Sequence, residues 1–248
     1  MSSPHHRWSS RARVTERGPD GAISRRRVVD WLQETAAAHC DRAGWPIDAL
    51  LRAGATWFVR SMELHFERPI QWREPIEVET WVSDRKRFRT HREYRVRASG
   101  ELVVRGQTQW IYLEQEPSGT FRPARIPEAM EADFGLDPAG ALDGVDRLAD
   151  SAPGPDGAGD ALARDVHVSD TDANGHANHG AYLDWIDDLL ADGATPPDLR
   201  ALRLDFLADA RPGERLRLVR PPGDDPRCVS IRRGDDELVQ ARVAVRGR

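Results

Sequence analysis

The stretch SRRRVVDWLQETAAAHCDRAG, residues 24–44, sets the fold. Val28, Leu32, Ala36, Cys40 and Ala43 recur at helical spacing, Trp31 and Thr35 flank that stripe, and Gly44 is a natural C-terminal cap. One amphipathic helix is expected over residues 24–43. Four strand-like runs follow: Trp57–Phe66, Ile76–Val82, Phe88–Val96 and Glu101–Leu113. They are rich in β-branched and aromatic residues and are interrupted at Pro69, Pro75, Gly100 and Pro117. A helix followed by a long antiparallel meander is an α+β pattern, with the helix laid across a curved sheet.

A shorter copy of this pattern occupies the C-terminal third. Ala163–Val168 reads as a strand, and Tyr182, Trp185, Ile186, Leu189 and Leu190 form a helical stripe. Strand-like runs follow at Arg203–Leu207, Arg215–Arg220, Arg227–Arg232 and Glu237–Val245. Asp30-Trp31-Leu32 matches Asp184-Trp185-Ile186 at an offset of 154 residues. Phe66 and Glu74-Pro75-Ile76 match Phe206 and Glu214-Arg215-Leu216 at 140, and Glu101-Leu102-Val103 matches Glu237-Leu238-Val239 at 136. The order is kept throughout, which identifies a tandem repeat whose second copy has shorter connections. The expected division is an N-terminal domain over 1–122, a connecting segment over 123–160 and a C-terminal domain over 161–248. PARIPEAMEADFG in the connection has room for a short helix, and SAPGPDGAGD at 151–160 has the composition of a linker.

The 248 residues carry a formal net charge of -5, which argues against a polyanion binder. No apolar run approaches the roughly 18–20 residues of a membrane-spanning helix, and MSSPHHRWSS lacks the apolar core of a secretory signal. Two cysteines, Cys40 and Cys228, make neither a disulfide framework nor a thiolate zinc site, so a reducing cytoplasm is expected.

The chemistry is concentrated in Ser169-Asp170-Thr171-Asp172-Ala173-Asn174-Gly175-His176-Ala177-Asn178-His179-Gly180. This segment lies between a strand and a helix N-terminus, where backbone N–H groups and the helix dipole favour developing negative charge. Asp170-x-Asp172-x-Asn174-Gly175 copies the opening of an EF-hand loop, but the twelfth position is Ala181 rather than a bidentate Glu. Asp172, His176 and His179 lack a convincing further metal ligand at typical spacing, so no metal and no cofactor are expected. Capping and turn formation alone would account for Asp172 and Asn174. Against that stands the repeat: at the 154 offset, Asp172, Asn174 and His176 align with Gly18, Asp20 and Ala22. A shared structural need should recur in both copies, whereas chemistry can be retained in one.

The pattern Asp172-x-Asn174-x-His176-x-Asn178, followed by Tyr182 and Trp185, resembles the signature of the acyl-acyl-carrier-protein (acyl-ACP) thioesterases of plants and bacteria. Trp31-Leu32-Gln33-Glu34-Thr35-Ala36 with His39 and Gly44 resembles that family's first helix, and Arg68-Pro69, Trp72 and Pro75–Trp81 resemble its following strands. The resemblance spans roughly residues 10–120 and 160–248. It implies two tandem hot-dog domains, each a long helix wrapped by a curved antiparallel sheet. It further implies a hydrolase that frees fatty acids from the phosphopantetheine arm of acyl carrier protein, with Asp172, Asn174 and His176 in the site. The family's downstream acidic residue falls on Asp209, and the plant cysteine after it falls on Ala210, so cysteine catalysis is excluded by this alignment.

These residue types support thioester hydrolysis. Helix N-terminal amides at Asn178, His179 and Gly180 would polarise the carbonyl, with Asn174 as orienter or added donor. Asp172 would act as general base or as a transient nucleophile, His176 would relay the proton, and Asp209 would orient the imidazole or the water. Residues 85–97, RKRFRTHREYRVR, place Arg85, Arg87, Arg89, Arg95 and Arg97 on one face if read as a single strand. That face is either a solvated sheet surface or a docking surface for the acidic carrier protein. Arg7, Arg11 and Arg13 read as a frayed basic arm. No nucleic-acid or membrane partner is expected, and a homodimer is left open. Rival readings are the same hydrolysis on acyl-CoA, a hot-dog dehydratase or hydratase, and an acyl-binding protein without turnover.

Overall fold

The computed structural model describes residues 3–149, 160–193, 195–221 and 227–246. The first repeat comprises β1 (His6–Arg11), α1 (Arg25–Arg42), α2 (Ile47–Arg52), β2 (Ala55–Phe66), β3 (Pro75–Lys86), β4 (Arg89–Ala98), β5 (Glu101–Gln115) and β6 (Phe121–Pro123). A short helix, α3 (Glu128–Phe134), lies in the connection. The second repeat comprises β7 (Asp160–Asp165), α4 (His179–Leu190), β8 (Leu199–Phe206), β9 (Arg215–Arg220), β10 (Arg227–Arg233) and β11 (Asp236–Val245). The linker-like residues 151–159 lie outside the described residues.

The helix and strands expected of the first repeat form within a few residues of their sequence limits. Helix α1 buries Val28, Trp31, Leu32, Thr35 and Ala36 and ends where Gly44 adopts a φ of 83°, letting Trp45 N–H bond the Cys40 carbonyl at 2.9 Å. Two expectations need correction. The strand placed at Ala163–Val168 runs instead over Asp160–Asp165, and a 3-10 turn at Val168–Asp170 follows it. The expected basic arm is not frayed: Arg7 and Arg11 belong to β1, which pairs antiparallel with β3 from His6↔Thr80 to Arg11↔Pro75. The side chains of HRWSSR alternate between half-buried and exposed, a polar alternation that hydrophobic patterning does not register.

The two repeats share one topology. In the first, the strand order is β1-β3-β4-β5-β2, and in the second it is β7-β9-β10-β11-β8. Apart from β6, which pairs with β5, every strand takes the place of its counterpart, with the helix between the first and second strands of each copy. Register shifts at Val82/Asp84, Val96/Arg97, Ile231/Arg232 and Ala244/Val245 are β-bulges that bend the strands. This is the hot-dog arrangement expected of each repeat. On α4, Tyr182, Leu183, Trp185 and Ile186 are buried, and each such side chain contributes about 1.5–3 kcal/mol by leaving water.

Contacts divide the chain into two compact units that are interleaved in sequence. The first unit holds residues 1–11, 31–62 and 74–145; the second holds 12–30, 63–73 and 146–248. In the first unit the connection after α3 lies on the sheet. Trp81 Nε1 donates to Ala139 O at 2.8 Å, and Ala141 N–H donates to the buried Glu93 carboxylate at 2.9 Å. In the second unit buried Glu63 accepts from Arg147 at 2.8 Å and from Leu148 N–H at 3.0 Å, which ties residues 147–148 to the end of β2.

Candidate active site

The Asp/Asn/His segment folds as a wound loop between β7 and α4. His167 N–H donates to Asp170 Oδ2 at 2.8 Å, closing the 3-10 turn. Asp172 N–H then bonds His176 O at 3.0 Å, and Gly175 N–H bonds Asp172 O at 3.0 Å. Gly175 takes a φ of 74°, which a residue without Cβ adopts at little cost. Ala177 N–H bonds Ala210 O at 2.8 Å, Asn178 N–H bonds Asp170 O at 2.8 Å, and Asn178 Oδ1 caps α4 by accepting from Gly180 N–H at 2.8 Å.

The first repeat builds the same loop. Arg13 N–H bonds Glu16 Oε2, Gly18 N–H bonds Ala22 O, Gly21 N–H bonds Gly18 O, Ile23 N–H bonds Ile70 O and Ser24 N–H bonds Glu16 O. Each of these bonds sits 154 residues before its counterpart, or 140 for Ile70 and Ala210. Gly21, with a φ of 84°, matches Gly175. The loop therefore closes with Gly18, Asp20 and Ala22 as readily as with Asp172, Asn174 and His176. Its backbone does not require the Asp, Asn and His.

The structure places the predicted residues as follows. His176 Nε2 lies 3.1 Å from Asp209 Oδ2, with both side chains about two-fifths exposed. Asp209 also accepts from Arg211 Nε at 2.8 Å. Burial opposes its ionisation, but the bond from Arg211, its own backbone and the nearby His176 hold its carboxyl below the ordinary range. Asp172 Oδ1 accepts from the Asn174 N–H at 2.8 Å, and Asn174 itself is exposed. Among the described residues no hydrogen bond joins the Asp172 or Asn174 side chain to His176, so the four form two neighbouring pairs rather than one chain. Two of the three amides expected to polarise a carbonyl are already engaged, Asn178 N–H by the Asp170 carbonyl and Gly180 N–H by the cap.

The His179 side chain, weighed in the sequence only as a metal ligand, packs beside the site. Its ring meets Phe206 edge-on at 5.1 Å between centroids. Burial pushes its imidazole down to about 4, and the negative charge of Asp172 only partly opposes this. At neutral pH it is an uncharged donor or acceptor beside Asp172. Tyr182 packs edge-on against both Trp185 (4.9 Å) and Phe206 (5.5 Å), and burial raises its phenol above the usual range. Among the described residues no group of three or more His, Cys, Asp or Glu has the arrangement to hold a metal ion.

The basic run corrects the single-strand reading. Residues 85–97 fold as the β3–β4 hairpin, turning at Arg87, which takes a φ of 51°. Arg85 pairs opposite Thr90 on the neighbouring strand, whereas Arg95 pairs opposite Glu79 and Arg97 opposite Glu77. Arg89 and Arg95 are six residues apart on β4, about 20 Å at the rise of a strand. The five arginines thus separate into a hairpin-tip set, Arg85, Arg87 and Arg89, and a second set, Arg95 and Arg97. An arginine at positive φ is uncommon, so the turn carried no Gly or Asn to announce it.

Residues 5–134, more than half of the chain, match the family description "Acyl-ACP thioesterase N-terminal domain". The chain belongs to the acyl-ACP thioesterase family. Among curated relatives of this family, the palmitoyl-acyl carrier protein thioesterase of Arabidopsis thaliana is 28% identical over 187 residues, covering 70% of this chain and 44% of that protein. The acyl-[acyl-carrier-protein] hydrolase FATB2 of Cuphea viscosissima is 25% identical over 200 residues, covering 75% and 46%. The chain thus spans about half the length of the curated relatives it matches. Two acyl-ACP thioesterase structures share the fold along nearly the whole chain. The protein from Bacteroides thetaiotaomicron has a TM-score of 0.83 at 18% identity, covering 99% of this chain and 100% of its own. The 12:0-ACP thioesterase of Umbellularia californica has a TM-score of 0.83 at 19% identity, covering 100% and 99%.

Proposed function

We propose that the chain hydrolyses fatty acyl thioesters carried by acyl carrier protein, releasing the free fatty acid and the carrier thiol in fatty acid biosynthesis. Membership in the acyl-ACP thioesterase family supports the substrate class. The observation that carries the site is the duplicated loop: one backbone frame is built twice, and only the second copy holds Asp172, Asn174 and His176 with Asp209 beside it.

The reaction adds water to the thioester carbonyl. With Nε2 engaged by Asp209, His176 presents Nδ1 as the nitrogen able to accept a proton, and Asp209 fixes that orientation. Asp172 lies in the same loop and is the carboxylate available as base or as nucleophile. If it acts as base, the oxygen of water forms the new bond to carbon and its proton passes to the base. The negative charge gathers on the former carbonyl oxygen until the C–S bond breaks, and the proton then returns to the departing thiolate. Asn174, exposed in the same loop, would orient the substrate. Both cysteines are free thiols in the structure, which favours a reducing compartment such as the cytoplasm as the site of action.

Free-thiol release from matched acyl-ACP and acyl-CoA substrates of several chain lengths tests the reading. Turnover on the carrier protein with little on CoA is the expected result. Preference for CoA would transfer the chemistry to another carrier, and release from neither would overturn the hydrolase assignment. The Asp172→Asn variant should lose hydrolysis by about 100-fold or more while retaining acyl binding.

A further inference from the structure

The first unit contains a cavity of about 720 Å³ lined by residues of β1, the end of α1, β3 and β4. Four arginines, Arg7, Arg42, Arg95 and Arg97, line it together with His5 and His6; both ring nitrogens of His5 face carboxylates, Nδ1 that of Glu79 and Nε2 that of Asp137 at 2.8 Å. Glu79 is the one carboxylate of the lining, and it is already committed. Its Oε1 accepts from Arg7 Nε at 3.0 Å and Nη2 at 2.8 Å, and lies 3.1 Å from His5 Nδ1. Arg95 stands 3.9 Å from the other oxygen. Arg42 bonds the carbonyls of Ser3 and His5, and Arg97 bonds the carbonyl of Gly100 at 3.4 Å. Among the described residues neither of these two has a carboxylate partner.

A second observation comes from behind the cavity wall. His6 stacks on His39, whose Nδ1 lies 3.0 Å from the buried guanidinium of Arg92. Among the described residues, the other hydrogen-bond partners of Arg92 are Thr80 Oγ1 and Cys40 Sγ, so this buried cation also lacks a carboxylate. After burial itself, the charges of Arg42 and Arg92 hold the His6 imidazole below its ordinary range. A buried charge without a counter-ion is costly, and an anion in the cavity would offset it. Arg95 is fixed in advance: its guanidinium lies 4.7 Å over the Trp81 ring, whose plane is stacked with His5 at 4.7 Å.

We infer that this cavity is a binding site for a phosphate monoester, held by Arg42, Arg95 and Arg97. A dianion with three acceptor oxygens matches the excess of forked donors better than a single carboxylate does. The lining arginines surround one open depression, within reach of a small phosphorylated group. The site lies outside the Asp172–His176 loop and is independent of the hydrolase reading; only the choice of probes rests on that reading.

The test is calorimetric titration of the full chain with inorganic phosphate, 4′-phosphopantetheine and adenosine 3′,5′-bisphosphate, with sulfate as a control. Saturable 1:1 binding of at least one phosphate compound is expected, weakened at least tenfold by Arg97→Glu and abolished when Arg42→Glu is added. Tightest binding of the phosphopantetheine assigns the site to a free phosphopantetheine monoester, because the same phosphate is a diester on the carrier; tightest binding of the bisphosphate assigns it to a nucleotide end, and equal binding of inorganic phosphate to a free phosphate; each supports the site. The proposal is overturned if no phosphate binds saturably, if sulfate binds equally well, or if the folded Arg97→Glu variant binds with unchanged affinity. Arg97 bonds only one carbonyl, so this single variant suffices if the double variant does not fold. Binding is read without turnover, so a failed thioesterase assay does not alter the result.

Discussion

His176 Nε2 lies 3.1 Å from Asp209 Oδ2, while the residues that hold the same places in the first repeat are Ala22 and Pro69. Neither alanine nor proline carries a side chain able to form such a pair, yet the backbone bonds around both positions coincide, Ile23 N–H to Ile70 O in one copy and Ala177 N–H to Ala210 O in the other. The ion pair is therefore an addition to a loop that is complete without it.

Its removal should separate activity from stability. Asp209→Asn should lower kcat by about 100-fold, in the range set by loss of acid–base organisation. The pair is about two-fifths exposed, so unfolding free energy should change by less than about 1 kcal/mol. Steady-state kinetics beside a thermal melt checks both. A large fall in Tm with unchanged kcat would make the pair structural.

Capping of α4 is a separate matter. Asn178→Ala should destabilise the chain by about 1 kcal/mol, because the Gly180 N–H loses its acceptor, whereas Asn178→Gly should cost only a few tenths. Chemical denaturation of the two variants distinguishes them. Equal losses would place the contribution of Asn178 elsewhere than in the cap.

Two imidazoles set the acid limit. Burial holds His179 at about 4, and burial followed by the charge of Arg92 holds His39 at about 2, against about 6.5 for a solvated imidazole. The unfolded chain thus takes up protons first as pH falls. Stability from His179 is complete above about pH 6.5, declines through that window and levels off below about pH 4, a loss on the order of 3 kcal/mol. His39 extends the decline to lower pH. In His179→Asn the slope of Tm against pH between 6.5 and 4 should flatten, and an unchanged slope would show that His179 charges without penalty.

The buried Glu93 carboxylate is surrounded by donors. It accepts from Ser83 Oγ at 2.7 Å, Gln107 Nε2 at 2.7 Å and Ala141 N–H at 2.9 Å. Glu93→Gln would turn an amide NH₂ toward one of these donors and should cost about 2 kcal/mol. The urea midpoint reads the loss directly; an unmoved midpoint would show that the neighbouring donors re-pair.

Much of this architecture was legible in the chain. The stripe Val28, Leu32, Ala36 located α1, and the matched offsets of Asp30-Trp31-Leu32 and Phe66 located a repeat whose two strand orders coincide. What failed was local and polar. β1 carries few apolar residues and is held by pairing with β3, a partner some seventy residues away that periodicity does not register. The two strands were read separately, but the turn at Arg87 has no residue type that signals it, so five arginines on both sides of it read as one face. At the site, the loop residues announced themselves by type, whereas Asp209 was reached only through family resemblance. The His179 side chain was weighed only as a metal ligand, because its ring contact with Phe206 joins residues distant in sequence.

The loop between Arg13 and Ser24 is a vacant mount. Four replacements, Gly18→Asp, Asp20→Asn, Ala22→His and Pro69→Asp, would install the full constellation on a backbone that already makes the corresponding hydrogen bonds. Such a chain, tested in a background carrying Asp172→Asn, would divide catalytic power between the four side chains and everything around them. Turnover regained would mean that the reacting groups are portable. Continued inactivity would mean that the ancestral duplication left the two mounts in surroundings that have since diverged.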